Sequence, residues 1–400
     1  MLPISIAMAH AEKGSGSPRL VQITWVVTVP ENTPRDAKLY IAGNLPDLGP
    51  WMPNRFELQR QEDGTFRASL GIPVDTSLEY KITRGSWATV EKSAEGDEIR
   101  NRVLVVRESQ EVKILVRNWA VPKAKQKSST SGDLRWRNFP SRYLKGDRRI
   151  TVWLPPQYRS ETIMRFPVVY LLDGQNVFDS QRAAFGVEWQ ADEAAERLAT
   201  SPHPMPLILV AIDNSGNRMS EYTFTKETIA GKVVGGDGNN YLSFIVDELK
   251  PWIDQEFRTL TEPNSTALIG SSLGGLFVLN ALNQRPDIFG KGVAMSPSLF
   301  WGNNHTLELF SKSDPPDRPE ITQRLWLDMG TKEGDKQTTQ LLAVEQAKEL
   351  KVLIEKNFPE RYTTHTMIDP DAQHNESAWA RRLPAALDFI FSISNTNHTK

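Results

Sequence analysis

The hydrophobic pattern changes character along the chain. Val21 to Val29 (VQITWVVTV) is a β-branched run with partial alternation. Lys38–Gly43, Phe66–Leu70, Leu78–Thr83 and Glu111–Trp119 are similar short runs, separated by turn clusters at Asn44-Leu45-Pro46-Asp47 and Glu62-Asp63-Gly64. Short strands at this spacing predict a small all-β, Ig-like sandwich over residues 21–120. Periodicity then stops. Val121 to Asp133 (VPKAKQKSSTSGD) is rich in Lys, Ser and Gly, and residues 121–140 read as a linker.

Beyond it the pattern alternates. Arg149–Leu154, Phe166–Leu172, Met205–Ile212, Ser265–Gly270, Lys291–Met295, Arg324–Asp328 and Tyr362–Ile368 are near-continuous apolar runs of strand length. Between them, Tyr241–Phe257, Gly274–Asn283, Thr338–Lys356 and Ser377–Ser392 carry helical spacing. Continuous apolar strands alternating with helices predict an α/β unit over residues 141–393, with a mostly parallel sheet covered on both faces. Residues 1–20 and 394–400 carry no such pattern.

Composition narrows the classes. Among 400 residues, 39% are apolar and 24% charged, which fits a globular chain. The net charge of −2 gives no electrostatic case for nucleic acid or an anionic membrane surface. No run approaches the ~20 apolar residues of a membrane span. Cysteine is absent, which excludes disulfides, thiolate metal sites and a cysteine nucleophile. Leu2 to Ala11 (LPISIAMAHA) is apolar and small, and Ala9-His10-Ala11 resembles a signal-peptidase site without a charged n-region. The expectation is a secreted or periplasmic protein, with a cytoplasmic one as the alternative. Nothing in the pattern speaks to oligomeric state.

Gly270-Ser271-Ser272-Leu273-Gly274 matches G-x-S-x-G. It lies directly after a predicted strand and before a predicted helix, the setting of a nucleophile elbow, in which a strained turn lifts the serine hydroxyl above the sheet. This makes Ser272 the candidate nucleophile of an α/β-hydrolase. A serine needs a general base, and in this fold the chain order is Ser, acid, His. His10, His203 and His305 come too early and His398 lies in the polar tail. His365 falls inside a strand, whereas His374 follows it in a loop, so His374 is the candidate base. For the acid, Glu333, Asp335 and Asp328 lie in or before the loop after Arg324–Asp328; Glu333 sits best, between Gly330 and Gly334. An oxyanion hole needs two N–H groups. Leu273 supplies one, and the loop Asp173-Gly174-Gln175-Asn176 the other, from Gln175 ahead of Gly174.

The back segment resembles the esterase D-like family of α/β-hydrolases over residues 141–393. The resemblance rests on Trp153 to Tyr158, Leu171 to Asn176, Ile212-Asp213-Asn214 with Arg218 and Glu221-Tyr222, Gly270 to Gly275, Met295-Ser296-Pro297-Ser298 with Trp301, Gly330 to Glu333, and His374 with Trp379. Feruloyl and acetylxylan esterases, enterobactin-type siderophore esterases and S-formylglutathione hydrolases belong to that family. The resemblance implies a triad of Ser272, Glu333 and His374, with no metal and no cofactor. It makes Gly174, Asn176, Arg218 and Trp301 candidates for substrate contact. The front segment resembles starch-binding-type carbohydrate-binding modules through Leu39 to Trp51, Glu79-Tyr80-Lys81 and Arg100-Asn101-Arg102. The resemblance implies glycan binding through exposed aromatics, here Trp51 and Trp87. The Trp-Glu element of such modules is replaced by Val90-Glu91-Lys92, with Trp87 nearby.

Three functions follow as expectations. The first is a serine ester hydrolase removing feruloyl- or acetyl-type groups from carbohydrate. The second is a siderophore-lactone esterase. The third is a non-catalytic glycan-binding protein on a hydrolase scaffold, against which the complete Ser, acid, His order speaks.

Overall fold

The computed structural model describes residues 19–49, 51–97, 99, 101–120, 130–183, 186–312, 321–334 and 337–392. Leu2–Ala11, the first part of the expected linker, Asp335 and the tail 394–400 lie outside the described residues.

The front segment is built from β1 (Leu20–Thr28), β2 (Leu39–Gly43), β3 (Phe56–Arg60), β4 (Phe66–Pro73), β5 (Ser77–Thr83), β6 (Glu91–Lys92), β7 (Arg102–Val105), β8 (Gln110–Leu115) and β9 (Asn118–Trp119). Seven of these pair in the order β7-β5-β2-β3-β4-β1-β8, while β6 pairs with β9. The link between β3 and β4 is only two residue pairs long. The sheet folds over on itself there: Trp25 of β1 meets Phe56 of β3 at 6.1 Å and Tyr80 of β5 at 6.0 Å, although β1 and β5 are not hydrogen-bonded neighbours. The inward side chains of both halves, including Ile23, Trp25, Ile41, Leu58, Phe66 and Ile82, form one core, as sandwich packing requires.

The back segment contains β10 (Asp133–Phe139), β11 (Arg148–Leu154), β12 (Val168–Leu172), β13 (Ile208–Ile212), the hairpin β14 (Lys226–Ile229) and β15 (Lys232–Gly235), β16 (Thr266–Ser271), β17 (Lys291–Met295), β18 (Gln323–Gly330) and β19 (Tyr362–Asp369). Its helices are α1 (Gln157–Ser160), α2 (Ala191–Ala199), α3 (Arg218–Glu221), α4 (Gly238–Ser243), α5 (Lys250–Glu256), α6 (Leu273–Gln284), α7 (Trp301–Ser311), α8 (Gln337–Asn357) and α9 (Glu376–Phe391). Eight strands form one sheet, ordered β10-β11-β13-β12-β16-β17-β18-β19. The five pairings from β13 to β19 are parallel. The two involving β11 are antiparallel, so the sheet is mixed rather than parallel throughout. Residues of β12 alternate between two cores: Val168, Tyr170 and Leu172 face one, Val169 and Leu171 the other. Both faces are therefore covered, which is why β12 reads as an unbroken apolar run.

Two sequence expectations change. The linker does not extend to residue 140, because β10 pairs along its whole length with β11. The single helix expected over 241–257 contains a π-helical stretch, Phe244–Leu249, just before Pro251. Proline lacks the N–H and crowds the carbonyl four residues back, and a widened turn relieves both. Among the described residues no helix is long and apolar enough to cross a membrane.

Candidate active site

All candidate catalytic residues leave the same edge of the sheet, the carboxyl ends of the parallel strands. Ser272 follows β16, Glu333 follows β18 and His374 follows β19. Ser272 has φ 59° and ψ −123°, a conformation that costs a non-glycine residue about 1–3 kcal/mol and persists only where its surroundings enforce it. The enforcement is visible. Its N–H donates to the Met295 carbonyl at 3.0 Å, and its own carbonyl accepts from Ser298 N–H at 3.1 Å. The Ser272 hydroxyl lies 3.3 Å from that of Ser298. Leu273 opens α6, where the first N–H groups of a helix have no intrahelical acceptor.

His374 Nδ1 lies 2.8 Å from Glu333 Oε2. This leaves Nε2 as the nitrogen that can take a proton from serine. The loops carrying the two residues are zipped together: Lys332 N–H donates to the Ala372 carbonyl at 2.9 Å, and Thr331 N–H to that of Asp369 at 3.0 Å. A β-carbon on Gly330 would collide with the Ala372 carbonyl oxygen, so glycine there permits the approach. After His374, the Asn375 side chain accepts from Ala378 N–H at 3.0 Å and caps α9, an interaction worth about 1 kcal/mol. The Trp379 ring stands edge-on to the imidazole at 5.1 Å.

Glu333 is buried and its other oxygen is fully engaged. Oε1 accepts from Ser296 Oγ and from Gly330 N–H, each at 2.6 Å. Burial pulls this carboxyl upward, but the bonds from His374, Ser296 and Gly330 together hold it below the ordinary glutamate value. It therefore stays ionised when the imidazole becomes charged. No direct hydrogen bond joins Ser272 to His374. Catalytic hydrogen bonds in unliganded sites are often long and tighten with substrate.

The sequence did not single out the support beneath this pair. Ser296 (φ 45°) donates to Glu333 and accepts from Trp379 Nε1 at 3.0 Å and Arg382 Nη2 at 2.8 Å. Arg382 is 1% exposed and lies 3.2 Å from Asp328 Oδ1. Asp328, the third acid considered, contacts Ser296 N–H and Trp326 Nε1, not His374. Burial, only partly offset by Arg382, pushes its carboxyl up to about 6. The Met-Ser-Pro-Ser block was the only sequence signal for Ser296. Arg382 gave none, since arginine in a helix reads as solvated.

Several expected substrate contacts have other partners. Arg218 Nε and Nη2 each lie 2.7 Å from an oxygen of Asp173, and Nη2 reaches the Ser271 carbonyl at 3.4 Å. Burial disfavours the guanidinium charge, but Asp173 more than restores it. Arg218 thus braces the loop that begins at Asp173 against the end of β16. Gly174 is packed so closely on β13 that a β-carbon would stand 2.6 Å from Ile212 backbone. Asn176 donates to Glu376 at 3.5 Å. Trp301 is 4% exposed and its Nε1 donates to the Thr225 carbonyl; it is a core side chain. The Gln175 side-chain oxygen Oε1 accepts from Asn214 N–H at 3.1 Å, which ties this loop to the end of β13. In the front segment Trp51 and Trp87 come together, with ring centroids 6.4 Å apart and a 38° tilt. Both are half-buried.

The family model described as "Putative esterase" matches residues 141–390, and a starch-binding-domain model matches residues 20–115. The chain is 30% identical over 256 residues to the uncharacterized protein YbbA of Bacillus subtilis, covering 63% of this chain and 95% of that one. It is 27% identical over 170 residues to the ferri-bacillibactin esterase BesA of Bacillus subtilis, covering 38% of this chain and 56% of that one. Among solved structures, the BES protein from Bacillus cereus shares the fold with a TM-score of 0.54 at 21% identity, over 68% of this chain and 99% of that one.

Proposed function

Because the chain belongs to the esterase family whose model spans residues 141–390, we propose that Ser272, His374 and Glu333 cleave a carboxylic ester through an acyl-enzyme, the ester being carried by carbohydrate. The chain is a serine esterase; the choice of acyl group, the alcohol and the covalent route are our reading. The observation that carries it is the 2.8 Å contact between His374 Nδ1 and Glu333, on the edge where Ser272 sits in a strained turn.

In this mechanism His374 Nε2 takes the Ser272 proton as Oγ attacks the ester carbonyl. The oxyanion that forms is held by the N–H groups of Leu273 and Gln175. The imidazolium then protonates the departing alcohol, leaving an acyl group on Ser272. Water, deprotonated by His374, releases the acid and restores the serine. Glu333 holds the imidazole tautomer and stabilises its charge without itself taking the proton.

The carbohydrate half of the reading rests on the starch-binding-domain match and on the Trp51–Trp87 pair. Pyranose rings present apolar C–H faces to such indoles. A second reading, a siderophore lactone, is favoured by the likeness to BesA. An anionic iron complex calls for unpaired cations. Here Arg218, Arg148 and Arg182 are paired with Asp173, Glu221 and Asp213, so these three are not free to hold one.

The test is a panel of acetylated and feruloylated oligosaccharides and a catecholate trilactone, compared by kcat/KM for wild type and Ser272→Ala. The proposal expects the carbohydrate esters to lead and the variant to be inactive. A trilactone that leads the panel would favour the second reading.

A further inference from the structure

One segment of the back half faces two ways. Residues 213–238 contain α3 and the hairpin β14–β15. Toward the catalytic edge, Asn214 Nδ2 donates to Asp173 at 2.6 Å, Asn214 N–H donates to Gln175, and Arg218 clasps Asp173. These contacts set the loop from which Gln175 offers its N–H.

Toward the front segment, other residues of the same stretch make the docking contacts. Ile229 packs against both the front core and the esterase core, and Ala230 against the front core. Lys232 pairs with Asp47. The Met52 sulfur sits 3.1 Å from where a β-carbon on Gly216 would be. Asp47 lies in the Pro46–Leu48 turn, and Met52 directly follows Trp51, one of the two paired indoles. The hairpin is not a loose flap. Trp301 Nε1 donates to the Thr225 carbonyl at 3.0 Å, and Gly236 N–H donates to Thr223 Oγ1 at 3.1 Å.

We propose that the sugar-binding edge and the ester cleft form a single extended site: an acylated α-glucan lies on Trp51 and Trp87 and continues past residues 213–218 to present its ester to Ser272. The front segment is then a set of subsites for the reaction, not a remote tether to insoluble polysaccharide. This rests on the glycan reading of the previous subsection. It adds that the hairpin, through Ile229, holds the two halves in the register the chain needs.

A soluble substrate separates subsites from tethering. The comparison is kcat/KM for singly acetylated maltoheptaose against acetylated glucose, in the full-length enzyme. Coupled subsites give the heptaose about a tenfold or greater advantage, since binding remote sugars raises the local concentration of the ester. Ile229→Asp places a charge between the two cores and is expected to reduce that advantage to about twofold or less, with p-nitrophenyl acetate turnover and maltoheptaose affinity retained. Those two readouts report that each half is folded. Lys232→Glu should weaken the advantage in the same direction, and Asp47→Lys combined with it should restore it. A wild-type ratio near one despite maltoheptaose binding, or an Ile229→Asp enzyme that keeps the ratio, overturns the coupling and leaves the esterase and glycan readings standing. Wild-type enzyme that binds no maltoheptaose overturns the glycan reading and this inference with it.

Discussion

Arg382→Met tests whether the support beneath the acid–base pair is electrostatic. The guanidinium is 1% exposed and lies 2.8 Å from Ser296 Oγ, 3.2 Å from Asp328, 3.7 Å from Glu333 and 3.6 Å from Asp369. Methionine keeps much of the volume and removes the charge, stranding buried carboxylates. Breaking a buried pair from one side costs about 3–5 kcal/mol. At about 2–4 °C per kcal/mol for a unit of this size, the melting temperature should fall by roughly 6–20 °C. The pH dependence carries a sign. Asp328 titrates at about 6 in the folded protein, against 3.8 for the free side chain. Its folded value is raised, so the unfolded chain loses this proton first and stability falls as pH rises through that window. Below about 6 the folded protein holds Asp328 mostly protonated with or without Arg382. Above it the wild type has a charge partner for Asp328 and the variant has none. The deficit should therefore be larger at pH 8 than at pH 5, measured by calorimetry on both proteins. A deficit under about 2 °C at pH 8, or one larger at pH 5, would mean that Arg382 does not support the site through its charge.

Glu333→Gln keeps the shape but not the charge that orients His374. It should lower kcat for p-nitrophenyl acetate by about 10⁴-fold with little change in KM, and a loss below about tenfold would point to a different acid. Gly270→Ala places a β-carbon 2.5 Å from the Gly274 carbonyl group. It should cost about 1–3 kcal/mol or more and distort the elbow, visible as a lowered melting temperature together with lost turnover. Trp51→Ala should reduce retention on insoluble starch in a pull-down, and unchanged retention would remove Trp51 from the sugar site.

The order of strands and helices was legible because buried parallel strands read as unbroken apolar runs. That signal carries no direction, so β11 was not recognised as antiparallel. It was missing altogether at β10, an edge strand whose Arg135, Arg137 and Asn138 are exposed and imitate linker. Ser272 and His374 were legible from chain order and from their place at strand ends. His365, which the sequence places inside a strand, lies in β19 and stacks on Trp326 at 4.5 Å. Glu333 is preferred already from the glycines that flank it; the structure supplies the reason, since Asp328 lies inside β18 and turns to Ser296 and Trp326 while the loop contacts around Gly330 bring Glu333 to the imidazole. Ser296, Arg382 and Asp328 come from three separate elements. No spacing rule joins residues that meet only when the β17, β18 and α9 ends are stacked. Gly174, Arg218 and Trp301 fell in matching blocks for a different reason, since they shape the walls and braces of the cleft.

The most direct test of the account is to find where the acyl group goes. Enzyme mixed with p-nitrophenyl acetate and quenched in acid within the first turnovers, then digested for peptide mass spectrometry, should carry acetyl on Ser272. A burst of p-nitrophenolate equal to the enzyme present should accompany it, and both should vanish in Ser272→Ala. Acetyl on Ser298 or Ser271 instead, or wild-type turnover in the Ser272→Ala protein, would contradict the assignment on which the mechanism is built.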